Sequence, residues 1–140
     1  MVDLERHFSY LADAIAEARG APLSVRKARL AIALLDAYVD RFYAADPSRA
    51  EDILAFRTGL CASSPTLATL LSNAGPPRLE IQPRPLAPAD YAHLSEPDLM
   101  VSLYNANTVP RLLLIDGDGE RHDVHQLLAA ALAALAGPIA

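Results

Sequence analysis

The sequence predicts an α+β fold, predominantly helical, and three observations carry that expectation. Apolar residues recur at helical spacing over two long N-terminal stretches. Prolines break up the middle of the chain, with six of the eleven between residues 76 and 97. Beyond them an apolar run, a glycine turn and a last periodic stretch suggest a small sheet followed by a C-terminal helix. The expected sheet is mainly antiparallel, over 78–82, 111–115 and 120–122. The 140 residues fit a single domain, 1–140, with a helical part over 1–75 and an α+β part over 76–140.

Residues 3–19 read as a helix because Leu4, Phe8, Leu11 and Ile15 repeat at steps of 4, 3 and 4. Gly20 is a plausible stop. Residues 25–45 carry the strongest helical pattern. Ser24 can cap it, and Val25, Ala28, Ile32, Leu35, Val39 and Phe42 form a broad apolar stripe. The short Gly20–Leu23 connection makes the two helices an antiparallel hairpin.

Asp46-Pro47 is a boundary, and Ser48 with Glu51 has capping-box spacing. A third helix is expected through Ile53, Phe56 and Leu60. Ser63-Ser64-Pro65 breaks it and starts a fourth, with Ser64 as cap and Pro65 at the first position. Leu67, Leu70, Leu71 and Ala74 supply its stripe. Gly75-Pro76-Pro77 ends it.

Leu79 and Ile81 then alternate with Arg78, Glu80 and Gln82, as in a half-buried strand. Pro83, Pro85 and Pro88 disfavour a central strand. A helix over 96–104 is expected from Ser95, Asp98, Leu99, Met100 and Leu103. Arg111–Ile115 reads as an interior strand, Asp116–Gly119 as a tight turn, and Glu120–His122 as a return strand. Asp123 caps the last helix, whose face holds Leu127, Leu128, Ala131, Leu132 and Leu135.

Hydrophobic residues make up 52% of the chain and charged residues 21%, which excludes a disordered chain. There are 27 Ala and 23 Leu, and eleven of the twelve basic residues are Arg, a composition typical of GC-rich coding. The net charge of −5 argues against nucleic acid and anionic membrane as partners. The first twenty residues carry Asp3, Glu5, Arg6, Asp13 and Glu17, which no signal-peptide core would. The expectation is a soluble, cytoplasmic chain. Cys61 is the only cysteine, so no internal disulfide can form.

Asp116-x-Asp118-x-Glu120 resembles the start of a calcium loop. Starting at Asp116, however, position 6 is Arg121 and position 12 is Leu127, where such a loop needs Gly and Glu. The run is better read as an acidic hairpin turn. His122 and His125 have a spacing that could share a metal, but His122 falls before the helix that Asp123 caps. Asp116, Asp118, His122 and His125 are therefore minor metal candidates, and no cofactor is expected. There is no glycine-rich phosphate loop and no GxSxG elbow. The cluster Arg26, Lys27 and Arg29, with Asp36 and Asp40 further along, is an ordinary solvated face.

Cys61 gives the sharper chemical alternative. Placed just before a helix starting at Ser64, its thiolate would be favoured by the helix dipole. Cys61-Ala-Ser-Ser64, together with YNANTVPRLLLIDGDGE over 104–120, resembles the thioredoxin and glutaredoxin superfamily. In that family an aromatic residue precedes a Val-Pro element, a strand, a glycine turn and a last helix. The resemblance implies a cis Pro110 facing Cys61, with Cys61 as catalytic thiolate and a strand over Ile53–Phe56. It covers about half the chain. This chain departs from the family's pattern in lacking the second cysteine, in having Leu60 where an aromatic is usual, and in placing two long helices first.

No catalytic constellation otherwise emerges. The leading functional expectation is a non-enzymatic interaction or regulatory module, homodimeric or bound to another protein. Its interface would be the wide helical stripes, with Phe8, Leu11, Leu35, Val39 and Phe42. The alternative is a thioredoxin-like monothiol protein using Cys61 beside Pro110.

Overall fold

The computed structural model describes residues 2–85, 97 and 108–136. Two long helices come first, α1 (Val2–Gly20) and α2 (Val25–Ala45), packed side by side. Ser24 caps α2: its Oγ accepts from Lys27 N at 3.2 Å. A 3₁₀ turn (Pro47–Arg49) leads to α3 (Ile53–Ser63) and α4 (Pro65–Ser72). Three antiparallel strands follow, β1 (Leu79–Pro85), β2 (Thr108–Ile115) and β3 (Arg121–Asp123), with β2 in the middle. Helix α5 (Val124–Ala136) leaves β3 directly and packs on α1, α2, α4, β2 and β3. The α+β class, the paired N-terminal helices, the antiparallel sheet and the C-terminal helix are thus as expected. The expected helix over 96–104 lies, but for Pro97, outside the described residues.

Two local expectations give way. The capping box of Ser48 and Glu51 does not form. Asp46 instead accepts from Ser48 N at 3.3 Å, and Asp52 caps α3 by accepting from Ala55 N at 2.7 Å. An aspartate directly before the helix outcompetes a serine four residues further back. The strand over Ile53–Phe56 implied by the thioredoxin resemblance is also absent: these residues open α3. Ser64 closes α3 and caps α4, accepting from Leu67 N at 3.2 Å.

One core joins the helices to the sheet. Leu11, Ile32, Leu35, Leu67, Leu70, Leu112 and Leu128 are almost completely buried in it. Each side chain of this size removed from water contributes about 1.5–3 kcal/mol. β2 is covered on both faces, since Leu113 and Ile115 are buried like Leu112 and Leu114. That explains its unbroken apolar sequence.

The prolines fit the ladder. Ile115 N donates to Arg78 O at 2.9 Å, which assigns the even-numbered residues of β1 to the hydrogen-bonded positions facing β2. Pro83, opposite Pro110, and Pro85, opposite Thr108, fall between them. Their nitrogens point away from β2, so neither removes a ladder bond.

Candidate functional site

The two chemical leads of the sequence lie on different elements, Cys61 on α3 and the acidic turn between β2 and β3. Cys61 lies in the last turn of α3, a helix C-terminus, three residues ahead of the Ser64 that caps α4. The dipole there disfavours a thiolate. Burial pushes the half-buried thiol up from its ordinary range, and the nearby Arg57 guanidinium offsets only part of this. Pro110 lies within β2. The only cis peptide among the described residues is Gly75–Pro76, so Val109–Pro110 is trans. The cis Pro110 implied by the resemblance is therefore corrected, and burial disfavours the thiolate at Cys61.

The interface expected from the helical stripes is corrected as well. Leu11, Leu35 and Val39 are completely buried in the core of this chain. Phe8 and Phe42 are half-buried against it, Phe8 edge-on to Tyr38 and Phe42 stacked on Phe56 at 6.0 Å. α5 and α3 cover the surface that a second copy was expected to cover.

The acidic turn is built as a hairpin. Asp116 N donates to Glu120 O, and Asp116 Oδ1 accepts from Asp118 N at 2.9 Å and Glu120 N at 3.0 Å. Gly119 takes a positive φ of 83°, which few other residues tolerate. His122 Nε2 sits 2.8 Å from Asp116 Oδ2. That hydrogen bond, followed by those from the backbone, holds the Asp116 carboxyl below its usual range. Asp116, Glu120 and His122 each offer one ligand atom within 4.8 Å of the others. Asp118 takes part through its backbone, and His125 is turned away, with Nε2 2.9 Å from Pro22 O. The four minor metal candidates thus do not assemble. The cluster that does form is already satisfied internally, with Asp116 occupied at both oxygens.

A large concavity lies elsewhere, at the end of the sheet. β3 pairs only with Leu113, Leu114 and Ile115, so the first half of β2 has no β3 partner. α5 runs back past this gap, and a notch of about 520 Å³ remains between them. Its cationic lining is Arg84 of β1, Arg111 of β2 and Arg121 of β3. The register explains why they share it. Arg84 pairs with Val109 and Arg121 with Ile115, and Val109, Arg111 and Ile115 alternate onto one face of β2.

Among the described residues none of the three arginines makes a salt bridge. Arg111 Nη1 donates to Pro110 O at 3.2 Å, which holds its guanidinium at the open edge of β2. Glu80, on the same face, is engaged by Gln82 and Arg78, whose hydrogen bonds hold its carboxyl below the usual range; Arg121 adds a weaker attraction. The only carboxylate lining the notch is Asp123, whose Oδ1 already accepts from His125 N and Gln126 N. His122, Gln126 and Thr66 add polar atoms, and Val109, Leu127 and Ala130 an aliphatic floor. Sequence reasoning missed this set because its arginines are separated by up to 37 positions, and only the strand register unites them. Arg111 and Arg121 fell on expected strands, but Arg84 lay beyond the expected end of the first at residue 82.

Comparison with known proteins finds no matching family model, no matching curated protein and no matching solved structure.

Proposed function

We propose that this chain is a non-enzymatic interaction module that recognises an anionic group in the arginine notch. The observation that carries the reading is the convergence of Arg84, Arg111 and Arg121 on one concavity without ion-pair partners among the described residues. Guanidinium groups are strongly suited to carboxylate and phosphate, which they can bind through two parallel N–H donors. A ligand pocket of a few hundred cubic ångströms with few, convergent polar groups is an ordinary binding-site size. The overall charge of −5 makes a local cationic concavity selective by contrast. The interaction is assigned to this notch and not to the helical stripes, whose apolar residues already fill the core.

The test is thermal stabilisation by inorganic pyrophosphate at low ionic strength. A ligand that binds only the folded state raises the melting temperature in proportion to its occupancy. The shift should vanish in the Arg111→Gln, Arg121→Gln double variant and persist in an Arg26→Gln, Arg29→Gln control. No shift in the unaltered protein, or an equal shift in the notch variant, would overturn the reading.

A further inference from the structure

The notch is not a uniform cationic bowl, and its layout narrows the ligand. Arg84 and Arg111 belong to neighbouring rows of the sheet, since Arg84 pairs with Val109, two residues from Arg111. Arg121 pairs with Ile115, four residues further along β2 and one strand across. At roughly 3.3 Å per residue and about 4.8 Å between strands, the backbone positions of Arg111 and Arg121 are about 14 Å apart. Two arginines therefore stand towards one end of the notch and one towards the other, where His122 follows Arg121 in β3. The floor is aliphatic, from Val109 on β2 to Leu127 and Ala130 on α5. No Phe, Tyr or Trp is among the lining residues, and His122 is the one aromatic ring there.

On the reading above, we infer that the occupant is a linear organic dianion: two anionic groups joined by a short aliphatic body. One head group takes the donors of Arg84 and Arg111, the other takes Arg121, and the body lies on the leucine and alanine of α5. The shared chemistry is two planar or tetrahedral oxyanions at a fixed separation, and it is met by dicarboxylates and by bisphosphates alike. A single small anion would use only one end. A long acidic polymer would not be length-selective.

Calorimetric titration of the full chain with straight-chain α,ω-dicarboxylates of increasing length tests this, beside monocarboxylates of matched length and a parallel α,ω-bisphosphate series. The expected result is an optimum length at which the dianion binds at least tenfold more tightly than the monoanion. Whichever series shows the tighter optimum identifies the head group. Arg121→Gln should bring the dianion down to the affinity of the monoanion and leave the monoanion unchanged. Both ends are surface arginines, and circular dichroism of the variant verifies its fold. Equal affinities for mono- and dianions, or no length optimum, would overturn the dianion inference. The broader reading would then still stand if pyrophosphate binds in an Arg111-dependent way. Tighter binding of a polyglutamate peptide than of any dianion would also overturn it, in favour of an acidic protein segment.

Discussion

His122 on β3 holds Asp116 at the end of β2 through a 2.8 Å contact that closes the base of the hairpin. The carboxylate also collects two backbone N–H groups, so its charged form is favoured in the folded chain more than in the unfolded one. A folded-state pKa below the unfolded value contributes stability above the ordinary aspartate pKa of about 3.9. That contribution is lost as the pH falls through the folded value. Urea midpoints measured from pH 6 down to pH 2 should therefore fall for the native chain. The decline should be shallower for Asp116→Asn, which keeps the turn's acceptor oxygen but no longer titrates. Parallel curves for the two would mean that Asp116 does not contribute.

Burial sorts three leucines that the sequence places on similar stripes. Leu35 and Leu128 are completely buried, whereas Leu132 is only half-buried at the margin of the core. Truncation to alanine should cost about 2–5 kcal/mol at Leu35 and at Leu128, from lost transfer energy and the cavity left behind. The cost at Leu132 should be clearly smaller. Denaturant unfolding of the three variants checks the order, and equal losses would contradict this core.

Cys61 should be a slow nucleophile. Its thiol is raised by burial and lies at the wrong end of a helix for thiolate stabilisation. Iodoacetamide at pH 7 should modify the folded protein several-fold more slowly than a small free thiol, and urea should remove the difference. Arg57→Gln should slow the reaction further, because the Arg57 charge is what opposes the rise. Fast labelling of the native thiol would revive a redox role.

Arg57 also ties α3 to α2. Its Nε donates to Asp40 Oδ1 at 2.9 Å, and its Nη2 reaches the Asp36 carbonyl and carboxylate, each at 2.9 Å. Burial alone would lower the guanidinium pKa, but the two aspartates outweigh it and raise it. Both carboxylates are well exposed, so solvent screens them and the pairs are weak individually. Arg57→Ala should cost about 1 kcal/mol or less, from the screened ion pairs and one hydrogen bond to the Asp36 carbonyl, which keeps its bond within α2. Asp40→Asn should cost less and lose its effect in high salt.

What the sequence made legible was local. Ser24, Ser64 and Asp123 cap α2, α4 and α5 because a side chain three residues from an orphan N–H has little choice of partner. Gly119 and the apolar run of β2 were equally readable. The expectation failed at Ser48 and Glu51, where Asp46 and Asp52 compete for the same donors, and at Cys61, whose setting depends on where α3 ends. The helical stripes were identified correctly as apolar faces but assigned to a second copy, because spacing does not say which element covers a face. Arg84, Arg111 and Arg121 were invisible as a group, since nothing local joins strands separated by 22 intervening residues between Pro85 and Thr108.

Pro83 and Pro85 have a consequence beyond fitting the ladder. β1 is the outer strand of the described sheet, and its free side would otherwise present a row of donors to any passing strand. Two of those donors are missing, at positions that an incoming chain would need in succession. Sheet-to-sheet polymerisation through this side of the described sheet is thereby discouraged. A change of Pro83 and Pro85 to valine would restore the donors, and with them the tendency to associate edge to edge.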